Sequence, residues 1–256
     1  MEEIYQMKTS ISLSKYLFSL SSIILIVVFY WIFSTIQNDA WFYPSWSEIC
    51  GGIGKIITSG EKMSYFGYSF LRILFTILLS FISAVIVAFF YVIFEASFHF
   101  FKPLILIMKT APMAILSVYL FIIVGSKIAP FIITYLFITP VFVEGLINGI
   151  KNVPIEIINE LRITPCPMYK KFIKVYFPLI FPYVAMTFFQ TIGLSIKVMM
   201  MGEYICQTPK SIGKYIYLLK TEYNCTMLLS ILIIVVVFVA IIEGVISIIS
   251  KRYFTK

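Results

Sequence analysis

The sequence predicts an all-α integral membrane protein of six transmembrane helices, on three observations. Hydrophobic residues make up 61% of the 256 residues and charged residues only 12%, whereas soluble domains sit near half apolar and a quarter charged. Mean hydropathy is +0.99. Uninterrupted apolar runs of the roughly 20 residues that a spanning helix needs recur along the chain, and their continuity excludes the alternating strands of a membrane barrel.

Taken in order, Tyr16–Ile36, Ile73–Phe94 and Val175–Ile196 contain no Asp, Glu, Lys or Arg. Cys225–Ile242 is nearly long enough and extends past Glu243 towards Ser250. Two middle runs are interrupted: Pro103–Val124 by Lys109 and Pro112, and Ile128–Ile147 by Pro130, Pro140 and Glu144. Residues 1–15 precede the first run without a small-residue cleavage site, so that run is expected to stay as a helix rather than be removed as a signal peptide. The expected organisation is a cytoplasmic tail over 1–15 and a six-helix domain over 16–256. Between the first two runs, Trp41, Tyr43 and Trp46 read as an interfacial aromatic belt. Pro44-Ser45 followed by Glu48 starts a short helix expected to lie on the membrane surface.

Lys and Arg set the orientation. With the N-terminus inside, twelve fall on inner segments (Lys8, Lys15, Lys102, Lys109, Lys151, Arg162, Lys170, Lys171, Lys174, Lys251, Arg252, Lys256) and seven on outer ones (Lys55, Lys62, Arg72, Lys127, Lys210, Lys214, Lys220). Both termini are therefore expected in the cytoplasm of a multi-pass plasma-membrane protein. The net charge of +8 reads as a topology signal rather than a nucleic-acid footprint, because no basic run with interleaved aromatics occurs away from the membrane boundary.

Catalytic sets are missing from the sequence. The single histidine, His99, lies between Phe98 and Phe100 near an expected membrane edge, where interfacial placement is the simpler reading. Cys50, Cys166, Cys206 and Cys225 show no Cys-x-x-Cys spacing, so neither zinc nor a disulfide framework is indicated. Gly51-Gly52-Ile53-Gly54-Lys55 lacks the Ser/Thr after Lys and the first Gly of a phosphate loop. No catalytic residue, cofactor or metal is expected, and the chain is not expected to hydrolyse ATP.

Charges inside a bilayer are costly and often functional. Lys109, Glu144 and Glu243 are expected to snorkel from helix ends. Lys197 and Glu203 flank Val198-Met199-Met200-Met201-Gly202 and read either as snorkelling groups or as part of a translocation path; six residues apart, they do not share a helical face. Pro112, Pro130, Pro140 and Pro182 imply broken or kinked helices, tolerated where they line a cavity.

Residues 153–182 are the most informative stretch. They hold an acidic helical turn around Glu160, a Pro165-Cys166-Pro167 break, and a short helix with Met168, Phe172 and Val175 on one face and Lys170, Lys171 and Lys174 on the other. An apolar face on a cytoplasmic loop is expected to receive a partner.

The order of these features resembles the membrane subunit of a type I ATP-binding-cassette importer, most closely the nitrate/sulfonate/taurine permease branch that also includes thiamine-precursor and riboflavin systems. Ser69-Phe70-Leu71-Arg72-Ile73-Leu74 is similar to that family's Ser-Leu-x-Arg-Val-Leu. Lys109-Thr110-Ala111-Pro112-Met113-Ala114 resembles its Arg-x-Ile-Pro-x-x-Ala, and Gly145, Gly149 and Pro154 fall where the family approaches its cytoplasmic loop. Met201-Gly202-Glu203 and Ser211-Ile212-Gly213-Lys214-Tyr215-Ile216 resemble the Ala-Glu-Met and Gly-Leu-Gly-x-x-Ile before the last span. The family's Glu-Ala-Ala-x-x-x-Gly loop is degenerate. Counted back from Phe177-Pro178, its triplet falls on Asn159-Glu160-Leu161 and its Gly on Pro165; anchored on Glu160, the Gly falls on Cys166.

The resemblance implies a core permease over about 63–251 with a coupling loop over 151–176. Asn159, Glu160, Leu161, Pro165, Cys166, Met168 and Phe172 would dock an ATPase subunit, and Glu203 and Lys197 would lie on the translocation path. It also implies a second permease copy, as a homodimer, and an extracytoplasmic binding protein that delivers a small solute. Two competing classes are an ion-coupled secondary transporter, which would place carboxylates at mid-membrane and often show repeats, and an energy-coupling-factor scaffold, which resembles Ala-Arg-Gly motifs missing from this sequence.

Overall fold

The computed structural model describes residues 21–22, 24–37 and 41–254, with 246–254 described through their backbone alone. The expected tail over 1–15, the start of the first run from Tyr16, and Lys256 lie outside the described residues. Every regular element among the described residues is helical. Four helical stretches are long and apolar enough to cross a membrane: Gly60–Ile93, Met113–Lys151, Met168–Cys206 and Cys225–Val245; Ile24–Gln37 is a shorter apolar helix.

The chain divides into two compact units, Met1–Thr58 with Leu219–Ile234, and Ser59–Leu218 with Val235–Lys256. The first unit contains α1 (Ile24–Gln37) and α2 (Trp46–Ile57). Ser45 caps α2: its hydroxyl accepts from the Glu48 N–H, and its own N–H donates to the Glu48 carboxylate at 2.8 Å, the reciprocal box expected from the sequence. The aromatic cluster is not a uniform belt. Tyr43 and Trp46 pack edge-on against Phe33 and Tyr30 of α1, and only Trp41 is left exposed. Ile49, Gly52 and Ile56 form the buried face of α2, and Ser230 donates to the Ile49 carbonyl at 3.0 Å.

The second unit is built on three long helices. In α3 (Gly60–Ile93) the buried stripe is Ser69, Ile73, Thr76, Ile77, Ser80, Ala84, Ala88 and Tyr91, spaced by three and four and dominated by small residues, so neighbours approach closely. The helix α4 (Ser97–Thr110) is too short to span, and α5 (Met113–Lys151) follows it. Here the structure departs from the expected Pro103–Val124 span. Ala111 is extended, with φ −60° and ψ 126°, because the ring of Pro112 disfavours helical backbone in the residue before it. A second break lies inside α5, where Gly125 takes φ 79° and ψ 172°, a conformation that residues with a Cβ rarely adopt. The run is thus divided between two helical pieces.

After α5 come α6 (Ile155–Ile163), α7 (Met168–Lys171) and α8 (Phe177–Cys206), with a π-helical turn at Phe172–Tyr176 joining the last two. Pro178 has no N–H to give the Lys174 carbonyl, so the ladder widens and Phe177 donates to Phe172 instead. Helices α5 and α8 form the most extensive pairing. Gly145 and Gly149, one helical turn apart, face Thr187 and the Ile180/Tyr183 pair; a Cβ at Gly145 would collide, and one at Gly149 would press tightly on its neighbours. Helix α9 (Ile212–Thr221) and the final α10 (Cys225–Phe254) complete the chain.

Candidate functional site

Two clusters stand out in the second unit, near opposite ends of α3. At the first end Glu203, on the last turn of α8, is completely buried. Glu203 therefore does not snorkel: Arg72 of α3 pairs with it at 2.8 Å. Ser69, three residues before Arg72 and so on the same face, donates to the other carboxylate oxygen at 2.7 Å. The Gly213 N–H reaches that oxygen at 3.4 Å. Arg72 also donates to the Pro209 and Lys210 carbonyls, and Ser69 accepts from the Ile212 N–H. One ion pair thereby fastens α3, α8, the 207–211 loop and the start of α9.

The loop is shaped for this. Gln207 and Lys210 both take positive φ, Ser211 accepts from the Lys214 N–H to cap α9, and Thr208 donates to the Ser126 carbonyl beside the Gly125 break. Gly213 is required by close approach, since a Cβ would meet the backbone of Glu203 and Tyr204. Lys197 does not join the cluster. It is exposed on α8, and no ion pair links it to Glu203.

About 26 Å along α3, at 1.5 Å per residue from Arg72 to Phe89, lies the second cluster. Lys171 donates to the Leu161 carbonyl, folding α7 back on the end of α6. Beneath them is a cavity of about 580 Å³ whose lining includes Tyr91, Glu95, Lys151, Arg162, Met168 and Lys171. Asn159, Glu160 and Pro165 are exposed, and Leu161, Cys166 and Met168 are partly buried. Phe172 requires correction. Its side chain is only 4% exposed and packs edge-on against Phe89 at 5.3 Å, so it belongs to the chain's own core rather than to an open docking face. Helical spacing identified its face correctly but not the intramolecular neighbour, α3, that covers it. The exposed apolar residues of this segment are Ile155, Ile163, Tyr169 and Ile173. Lys109 and Glu144, expected to snorkel separately, instead pair across α4 and α5 at 2.9 Å.

Long apolar helices interrupted by an exposed helical segment make this a multi-pass membrane protein. Residues 96–255, more than half of the chain, match the model of the binding-protein-dependent transport system inner membrane component, and the chain belongs to that family. It is a permease component with a type I importer domain, of a family of membrane permeases rather than enzymes. No curated protein matches the chain. The matched stretch includes the 153–176 segment and Glu203 but stops short of Ser69 and Arg72. The partners of Glu203 therefore emerge only from the fold, 131 and 134 residues away in sequence.

Proposed function

We propose that the chain is the membrane half of an ATP-driven importer, working as a homodimer with six crossings per copy and both termini in the cytoplasm. A separate ATPase binds residues 151–176, and an extracytoplasmic binding protein delivers a small solute, in the manner of the nitrate/sulfonate/taurine branch. The observation that carries this reading is the α6–α7 segment. It projects apolar side chains outward, with Ile163 84% exposed, between two stretches long enough to span. Folding α7 onto the Leu161 carbonyl makes a stiff unit, which can carry the closure of an ATPase into α8 as a rigid-body motion. Asn159, Glu160, Leu161, Pro165, Cys166 and Met168 form the docking surface, while Phe172 holds that surface against α3. Glu203 and Lys197 belong to the outer half of the path, with Glu203 as the structural tie of its gate.

Affinity purification of the full chain from native membranes tests this reading. An ATP-binding-cassette ATPase should co-purify with the wild type and be lost with Glu160→Arg, at unchanged membrane yield. Equal retention by both would remove the segment from the interface. In a cysteine-free background, cysteines at Ser59 and Lys210 should react with an impermeant thiol reagent in intact cells, and one at Lys170 should not; the reverse pattern would invert the topology.

A further inference from the structure

The groove between α4 and α5 has a built-in chemical polarity that the coupling reading does not use. Its lining runs along one face of α4 (Phe98, Lys102, Leu106, Lys109) and one face of α5 (Glu144, Ile147, Asn148, Lys151), enclosing about 700 Å³. That volume falls in the range of small-ligand sites, about 300–1,000 Å³. At one end Lys109 donates to both oxygens of Glu144, at 2.9 and 3.0 Å, so these charges cancel. The middle is apolar, with Ile105 and Ile147 buried and Leu106 open to the groove. At the other end are Lys102 and Lys151. Among the described residues neither forms an ion pair, and the Lys151 ammonium lies 5.9 Å from the Phe98 ring centroid. Glu95, which lines the neighbouring cavity together with Lys151, makes no ion pair with it and accepts instead from the Tyr91 hydroxyl.

We infer that this groove is a binding site for an oxyanion carried on an apolar body. Lys102 and Lys151 hold the anionic group, Asn148 supplies a neutral donor beside them, and Leu106 and Ile147 receive the apolar part. The paired Lys109 and Glu144 close the far end without adding net charge. Two ammonium groups without an ion pair at one end of an apolar trough favour anions over cations, and the trough adds affinity for an anion that carries an apolar body. An acidic phospholipid presents this chemistry, and so does an amphipathic anionic solute. The solute source rests on the permease reading; the lipid source does not.

The test uses the full chain in phosphatidylcholine nanodiscs, titrated calorimetrically with phenyl phosphate, and in nanodiscs doped with phosphatidylglycerol, read by native mass spectrometry for retained acidic lipid. A charge-assisted contact is worth enough that losing each lysine should weaken binding about tenfold. Lys102→Gln/Lys151→Gln should therefore abolish binding of the recognised probe, Lys102→Arg/Lys151→Arg should keep most of it, and Lys174→Ala, elsewhere on the surface, should leave it unchanged. Phenyl phosphate lost with lipid retention unaffected assigns the site to a solute, and acidic lipid lost without phenyl phosphate binding assigns it to the bilayer. Binding of neither probe to the wild type, or an equal loss with Lys174→Ala, overturns the site. ATPase co-purification with the wild type, measured on the same preparations, separates that failure from a failure of the coupling reading, because the docking side chains from Asn159 to Met168 lie outside this groove.

Discussion

Arg72 and Arg162 lie near opposite ends of α3 and are used in opposite ways. Arg72 is 17% exposed, and the carboxylate it meets is fully enclosed, with a hydroxyl and a backbone N–H completing its shell. Arg162 stands exposed at the end of α6, beside a cavity that also holds Lys151 and Lys171. At the first end charge is consumed in fixing four segments of one chain. At the second, Arg162 forms no ion pair among the described residues and stands beside apolar residues that the chain does not cover. A buried pair tolerates no rearrangement without leaving a naked charge in a poorly polarisable interior, whereas an exposed mixed surface can gain a partner by burying apolar area. The comparison separates a part of the permease built to stay together from a part built to meet something else.

The sharpest way to break this contrast is to remove Arg72. Arg72→Ala leaves Glu203 enclosed without its counter-charge, a loss of about 3–5 kcal/mol for a buried pair cut on one side. Thermal unfolding in detergent should shift strongly downward and membrane yield should fall. Replacing both partners with apolar residues, as Arg72→Leu with Glu203→Met, should recover much of the loss. A single Arg72→Ala variant that melts like wild type would show that the pair does not hold the four segments together.

Next in size is Phe172→Ala. With Phe172 in the core against Phe89, truncation should cost on the order of 3 kcal/mol, as for large-to-small changes in packed interiors. The damage should appear as lost stability before any loss of ATPase contact, and Phe172→Leu should restore most of it. A normal melting curve combined with lost ATPase would return Phe172 to the docking surface.

Gly213→Ala comes third. The added methyl meets the backbone of Glu203 and Tyr204, and overpacking of this kind costs about 1–3 kcal/mol. Gly54→Ala, where nothing lies within reach of the new Cβ, serves as the matched control and should be neutral or slightly stabilising in α2. Equal melting of the two variants would deny the close approach of α9 to α8.

These outcomes bear on residues that the sequence rendered unequally. The helical class, the Ser45–Glu48 cap and the interruption at Pro112 were readable because each depends on neighbours within a few residues: apolar periodicity, a reciprocal cap, a ring that excludes helical backbone. The Gly125 break falls in the 125–127 gap between the two expected middle runs, at the residue type that most readily takes positive φ. Glu203 was singled out as a costly carboxylate, but its partners could not be. Ser69 and Arg72 share a helical face by spacing, yet nothing local states which distant group that face meets. Phe172 shows the same limit from the other side, because amphipathic spacing identifies an apolar face without saying whether this chain or another covers it.

The smallest effect on stability, and the most informative for the second end, is expected at Ile163. It is the most exposed of the large apolar residues in the α6–α7 segment, and it precedes the extended Thr164 and the Pro165 break, where α6 ends. Because its side chain contributes little to the chain's own packing, Ile163→Asp should leave the melting curve within about 0.5 kcal/mol of wild type, as for substitutions away from buried features. In a complex the same side chain would be buried, and full burial of an isoleucine is worth roughly 1.5–3 kcal/mol, so losing it should weaken the ATPase about tenfold or more. Paired measurements of thermal stability and ATPase co-purification therefore read the two ends of the molecule against each other: Arg72→Ala should move the first and Ile163→Asp only the second. If Ile163→Asp retains the ATPase as wild type does while Glu160→Arg loses it, docking is polar and confined to the acidic turn of α6, and the exposed apolar residues serve another surface.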